Sequence, residues 1–145
     1  MTAFRPAHAD DLDGVLALYR QLHPADPPVP DARDTFTTIL DRPGLQLYVL
    51  VDGAAVVATT YLNLIPNLTR GGAPYAVIEN VVVDEARRGT GLGKQIMAAT
   101  LQAAWDAGCY KVMLQTGSRR ESTHAFYRNC GLDPNQKTAY VAHPE

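Results

Sequence analysis

Apolar positions along the chain change their spacing several times, and each change marks an element. Leu12, Val15, Leu16, Leu18, Tyr19 and Leu22 recur every three or four residues, the stripe of a helix with one buried face. Ala9 to Asp13 supplies cap candidates and acids for its first turn, and Thr2–Arg5 ahead of it reads as a short strand. His23 to Pro30 carries four prolines in eight residues and is expected to be a stiff extended loop. A shorter helix is expected over Ala32–Leu40, with Asp31 as its cap and Arg42-Pro43-Gly44 as its stop. Strands over Leu45–Val51 and Ala54–Leu64 flank Asp52-Gly53, a strong two-residue hairpin signal. After a loop with two glycines and two prolines (65–75), an apolar, β-branched strand begins at Ala76. A helix over Gln95–Trp105, a buried strand over Cys109–Gln115, a helix over Ser118–Asn129 closed by Gly131, and a last short strand over Lys137–His143 complete the series. Strands and helices in this order predict an α/β sandwich around a mixed sheet.

At 145 residues the chain fits one domain, residues 1–145, with a core that needs no staples. A net charge of −2 gives no reason to expect nucleic acid or an anionic membrane as a partner. No basic start precedes an apolar h-region, and no run approaches membrane-spanning length. Cys109 and Cys130 lack C-x-x-C spacing and are expected to be reduced in a cytoplasmic protein. His8, His23 and His143 are scattered, so no metal is expected.

The stretch from Val77 to Lys94 carries the chemistry. It passes from an apolar strand through Asp84, Glu85, Arg87 and Arg88 into a loop with glycine at 89, 91 and 93, and then into a helix. Strand, glycine-rich turn, helix makes an anion site: the glycines let an anion approach the backbone, and the first helical turn offers unpaired N–H groups and a favourable dipole. Arg87, Arg88 and Lys94 add full charges. A Walker A loop is excluded, because Arg88 stands where its first glycine belongs and Gln95 follows Lys94 in place of Ser or Thr. The dinucleotide fingerprint lacks its third glycine.

What remains, Arg88-x-x-Gly91-x-Gly93 after a valine-rich strand, resembles the GNAT superfamily of acyl-CoA N-acyltransferases. Phe126-Tyr127-Arg128-Asn129-Cys130-Gly131-Leu132 resembles a second segment of that family, with Leu132 where Phe is usual. These segments, with Glu79–Val83 and Gly108–Lys111, look like those of glucosamine-6-phosphate N-acetyltransferases and of small bacterial members of the superfamily, the second being the expectation here. The resemblance implies the GNAT fold, a mixed central sheet with a splayed strand pair and helices on both faces. It also implies acetyl-CoA as donor, with Val81, Val82, Val83, Arg88, Gly89, Thr90, Gly91, Leu92, Gly93 and Lys94 holding the coenzyme. Homodimerisation is implied by resemblance alone.

N-acetyl transfer needs a neutral amine, a donor for the oxyanion and a proton for the departing thiolate. An alkylammonium with a pKa of about 10.4 must first lose its proton, and a nearby carboxylate can take it. Glu79, an acid inside an apolar strand, is the candidate base, and strand alternation places it with Val81 and Val83 on one face. A hydrogen bond to a neighbouring loop is the structural alternative for Glu79. Tyr127 resembles the family's general acid, and a backbone N–H near Val81 or Val82, freed by a bulge, is expected to meet the carbonyl oxygen. Ser118 and Arg120 lie where many members place an Asn on the coenzyme; His124 reads mainly as an exposed helical residue; Arg70 with Asn67 offers either an anion contact or solvated loop charge. The expected activity is direct acetyl transfer from acetyl-CoA to the primary amine of a small molecule, an amino sugar or an amino-acid-like amine. The contrasting class is a non-catalytic acyl-CoA-binding module, which has no need of Glu79 and Tyr127.

Overall fold

A computed structural model describes all 145 residues. The chain divides into two compact units, Met1–Leu114 and Gln115–Glu145.

The first unit is built on a five-stranded sheet whose spatial order follows chain order: β1 (Thr2–Pro6), β2 (Leu45–Asp52), β3 (Ala55–Ile65), β4 (Tyr75–Val83) and β5 (Val112–Leu114). The first four strands pair antiparallel and β4 pairs parallel with β5, so the sheet is mixed as the element order predicts. The hairpin between β2 and β3 turns at Gly53-Ala54, one residue after the expected Asp52-Gly53, because Asp52 still pairs with Ala55; Gly53 takes the positive φ that opens such a turn. Three helices belong to this unit: α1 (Leu12–Leu22), α2 (Ala32–Asp41) and α3 (Leu92–Asp106).

The two faces of the sheet are separate cores. On one, Leu12 and Val15 of α1 and Phe36 of α2 pack with Leu47 and Val49 of β2. On the other, Ile96 of α3 packs with Leu50 of β2 and Ala58 of β3. Val49 and Leu50 are neighbours in sequence and both wholly buried, because successive strand residues point to opposite faces. Each such side chain contributes about 1.5–3 kcal/mol by leaving water. One polar contact crosses the α3 core: the Thr60 and Thr100 hydroxyls lie 2.7 Å apart, and Thr100 also donates to the Ile96 carbonyl. Between β1 and α1, Arg5 forms a two-pronged pair with Asp11 at 2.6 and 3.1 Å.

β4 and β5 pair only over Ala76–Ile78 with Val112–Leu114. Beyond Ile78, β4 runs on to Val83 with no strand paired on that side. This is the splayed pair expected of the fold.

In the second unit α4 (Glu121–Asn129) starts three residues later than the expected Ser118. The reason is local: the Ser118 hydroxyl accepts from the Arg120 N–H and bonds the Thr123 hydroxyl, forming a turn before the helix. The strand expected over Lys137–His143 is not formed; the segment has no ladder partner, and Tyr140 is exposed. β-branched composition supplies propensity, but a strand exists only where another strand accepts its hydrogen bonds. Asp31 stands at the start of α2 with φ of 50° and makes no side-chain cap bond, contrary to expectation.

Candidate active site

β4 sets the geometry. Tyr61 of β3 faces Glu79, but the next pairing is Thr59 with Val82, so Thr60 opposes two residues, Asn80 and Val81. This is a β-bulge, and Asn80 carries it with φ of 54°, the left-handed conformation that Asn tolerates better than most side chains. Its consequence corrects the alternation read from sequence. Glu79 shares a face with Val82, and Val83 shares the opposite face with Ile78, since Ala58 and Leu62 pair with Val83 and Ile78. Glu79 is also exposed, not enclosed in the strand's apolar surroundings. The desolvation argument for its reactivity therefore falls away. Its position remains, one residue before the bulge and on the face covered by α1 and α2.

Behind the bulge lie two phenols. Tyr19 of α1 and Tyr61 of β3 pack against the α1–α2 core. Burial pushes the Tyr19 phenol up to about 12, with the Asn80 amide as a counteracting neighbour. The Tyr19 hydroxyl oxygen has no hydrogen-bond partner in proper geometry.

After β4 the chain enters the glycine loop. Asp84 caps a short turn by accepting from the Ala86 N–H, and Gln21 at the end of α1 grips this point from both sides, donating to Asp84 at 3.2 Å and accepting from the Glu85 N–H at 2.9 Å. The Thr90 hydroxyl donates to the Arg87 carbonyl at 2.5 Å and closes the loop on itself. Gly89 and Gly91 have φ of 82° and 85°, which a side chain would resist. Gly91 stands at the start of α3, and no side chain caps that terminus; the first backbone bond into the helix is Gln95 N–H to the Gly91 carbonyl. The preceding N–H groups thus stay available to a ligand.

The three cations here are not equivalent. Arg87 is drawn to Asp52 at the β2–β3 turn, where the N-terminal amine also sits, so it belongs to the fold and not to an anion. Arg88 and Lys94 are exposed and have no ion-pair partner. Val82 is buried, while Val81 and Val83 are half-buried. Leu92 packs beneath the α3 core. The residues expected on the coenzyme between Val81 and Lys94 thus form one continuous bulge, turn and helix start. An anion fits it by charge and by unsatisfied donors.

Tyr127, Ser118 and Arg120 lie in the second unit. Tyr127 is half-buried on α4, edge-on to Phe126 with ring centroids 5.1 Å apart. Burial raises its phenol pKa above the ordinary value, with Cys130 adding to the rise, so the proton is retained at neutral pH. Ser118 is engaged in the turn before α4, and the Arg120 side chain is exposed without a partner. His124, expected to be exposed, is half-buried and bonds the Ser118 carbonyl at 2.9 Å, holding that same turn. A cavity of about 380 Å³ at the α2–β2 turn, bordered by Arg42 and Tyr48, contains none of these residues.

Sequence reasoning missed Asn80, Gln21 and Asp52. Only Asn80 left a signal, as a lone carboxamide amid branched residues where a left-handed bend is cheapest.

A family model for the acetyltransferase (GNAT) family matches residues 12–132. The chain belongs to the GNAT acetyltransferase family. Glucosamine 6-phosphate N-acetyltransferase of Trypanosoma brucei brucei is 35% identical over 82 residues, 57% of this chain and 54% of that protein. Glucosamine 6-phosphate N-acetyltransferase 1 of Oryza sativa subsp. japonica is 30% identical over 133 residues, 88% of this chain and 79% of the relative. The chain spans about half the length of the first curated relatives it matches. Among solved structures, a putative acetyltransferase from Agrobacterium tumefaciens str. C58 superposes with a TM-score of 0.92 at 42% identity, covering 97% of this chain and 99% of that one. GNAT acetyltransferases use acetyl-CoA, and the uncapped turn with free Arg88 and Lys94 is of the chemistry its phosphates require. No helix is long and apolar enough to cross a membrane.

Proposed function

We propose that this GNAT protein is an N-acetyltransferase that moves the acetyl group of acetyl-CoA directly to the primary amine of a small molecule, of the amino-sugar class. The observation that carries the reading is the junction of the Asn80 bulge with an uncapped, glycine-led helix start bearing two unpaired cations. The names of the curated relatives, all glucosamine 6-phosphate N-acetyltransferases, support the acceptor class. The match from residue 12 to 132 supports reading the chain as one functional domain.

Acetyl-CoA supplies the activated thioester carbonyl. Arg88, Lys94 and the N–H groups of the loop hold its phosphates, and the main chain of Val81–Val83 pairs with its arm as an added strand does. The carbonyl oxygen takes a hydrogen bond from backbone at the bulge. Glu79 binds the acceptor amine and takes its proton, directly or through water, as an exposed carboxylate can do for an ammonium held beside it. Tyr127 supplies a proton to the thiolate side, and its burial keeps that proton in place until it is needed. Ser118 acts here through the turn before α4, and Arg120 offers a further charge to the coenzyme. A cytoplasmic location accompanies this reading from the cysteine spacing, and a homodimer from resemblance alone.

Thermal unfolding with and without excess acetyl-CoA tests the coenzyme. Ligand at a hundred times its Kd stabilises by about 2.7 kcal/mol, a shift of several degrees for a domain of this size. No shift in a folded sample removes the reading. Amines are then screened by thiol release, and Glu79→Gln separates the roles of Glu79. A base predicts a loss steepest at low pH, and a loss uniform across pH assigns Glu79 to amine binding.

A further inference from the structure

Few polar residues are buried in this molecule, and their placement is uneven. They are Asp11, Thr59, Thr60 and Thr100, and Asp11 is accounted for by its pair with Arg5. The three threonines gather behind the β4 bulge. Thr59 and Thr60 are β3 residues that run past it, and Thr100 of α3 meets Thr60. All three are fully enclosed. Enclosing a hydroxyl costs free energy that a valine of the same shape avoids, so the stability of the core gives no reason for three of them here.

Every one of these hydroxyls has a partner. A hydroxyl carries one proton, and Thr100 gives its own to the Ile96 carbonyl at 2.7 Å, so Thr60, 2.7 Å away, is the donor to Thr100. Thr59 donates to the Tyr48 carbonyl of β2 at 2.7 Å. β3 is thereby tied to β2 at one residue and to α3 at the next. Hydrogen bonds are directional, whereas the apolar packing of Ile96 with Leu50 and Ala58 fixes no unique height or angle.

The edge of the sheet shows what this fixation serves. From Glu79 to Val83, β4 has β3 as its one ladder neighbour, since pairing with β5 stops at Ile78. Among the strands, β3 alone sets the height of the bulge. The covalent route from β4 to α3 passes through Gly89 and Gly91 and is a poor ruler. The Thr60–Thr100 bond is a direct one, from the residue opposite the bulge to a hydroxyl that closes on Ile96 in the second turn of α3.

We propose that Thr60 and Thr100 are positioning residues for acetyl transfer, their hydrogen bond holding the start of α3 at a set distance from the bulge. This rests on the reading that one coenzyme spans both places, its phosphates at the α3 start and its acetyl carbonyl at the bulge, and it adds what keeps the two in step. A displacement of about 1 Å between reacting groups can cost about a hundredfold in rate, so a loosened α3 still binds coenzyme but presents the carbonyl badly.

The test replaces both hydroxyls together, Thr60→Val with Thr100→Val, because removing the pair leaves no orphaned partner. Unfolding curves check the fold. Thr60→Val alone, which leaves the Thr100–Ile96 bond in place, is the second variant and should show the same split. Amide NMR signals of the whole protein are followed with CoA and with acetyl-CoA. In wild type, Gly91 to Lys94 should respond to either ligand, and Val81 and Val82 should distinguish acetyl-CoA from CoA. In the valine variants, CoA affinity should stay within about threefold and the Gly91–Lys94 response should persist. The Val81–Val82 distinction should fall by at least about half, and kcat in thiol release with an amine by at least about tenfold. Thr60→Ser with Thr100→Ser keeps both hydroxyls and should restore both. Valine variants that retain the distinction overturn the positioning role. So does a loss shared equally by the α3 start, which makes the pair a folding element only, or a serine variant as impaired as the valine one. The NMR comparison needs no acceptor, so it reads the pair even where no amine is turned over. A folded wild type that responds to neither ligand overturns the coenzyme reading itself, and this proposal with it.

Discussion

Tyr61 on β3 stands opposite Glu79 on β4, yet two residues back along β3 Thr59 meets Val82, three residues further along β4. The extra residue turns the second half of β4 over. It presents backbone at Asn80 and Val81 where a regular ladder would consume it, and the glycine loop follows within ten residues.

Asn80 is the residue most sensitive to backbone chemistry. With φ of 54°, Asn80→Gly should keep stability within about 1 kcal/mol of the parent, while Asn80→Val should cost about 1–3 kcal/mol and lower kcat by flattening the strand. Denaturant unfolding and steady-state rates on the two variants check this; equal stability of both would show that the bulge does not depend on residue 80.

Arg87 and Arg88 are adjacent and differ in employment. Because Arg87 is paired with Asp52, Arg87→Ala should change acetyl-CoA affinity by no more than about threefold. Arg88→Glu places an acid at the open turn and should weaken binding by more than about tenfold. Calorimetry on both variants reads the contrast, and similar losses would return Arg87 to the anion site.

Tyr127→Phe should lower kcat by about a hundredfold with acetyl-CoA affinity nearly unchanged. Burial raises the phenol pKa above 10.0, so the wild-type rate should show no descending limb from Tyr127 below that pH. A fully active Phe variant would make Tyr127 a packing residue beside Phe126.

The Arg5–Asp11 pair carries a pH signature in stability. The Arg5 hydrogen bond holds the Asp11 carboxyl below its ordinary value, against the opposing effect of burial. A carboxylate depressed in the folded state contributes fully above its unfolded pKa of about 3.9, and its contribution is lost as pH falls through the folded value. Asp11→Asn should therefore cost about 1–3 kcal/mol at pH 7, with the gap to wild type narrowing steadily below pH 4. Unfolding free energies measured at both ends of that range give the comparison.

The glycine turn was legible because its requirements are local: positive φ at Gly89 and Gly91 and a free helix start are written in consecutive residues. The hairpin was legible to within one residue, turning at Gly53-Ala54, and so was the stripe of α1, for the same reason. The bulge was not, since strand alternation assumes a constant period and Asn80 resets it. The pairing of Arg87 with Asp52 joins residues 35 apart in sequence and depends on how the hairpin packs, which spacing does not encode. The Lys137–His143 segment shows the converse: its composition favours a strand, and tertiary structure supplies no neighbour to complete one.

The sheet adds its strands in the order in which a ribosome delivers them, with none inserted later between two earlier ones. Each of β2 to β4 joins an edge already exposed, so the antiparallel part of the sheet can grow behind the exit tunnel without rearrangement. The parallel step to β5 must wait for α3, because a parallel neighbour requires a crossover. Until that crossover is made, β4 is an open edge, and the bulge at Asn80 bends it away from the flat geometry that stray chains pair with. The residue that carries the bulge would then also protect the nascent chain from aggregation.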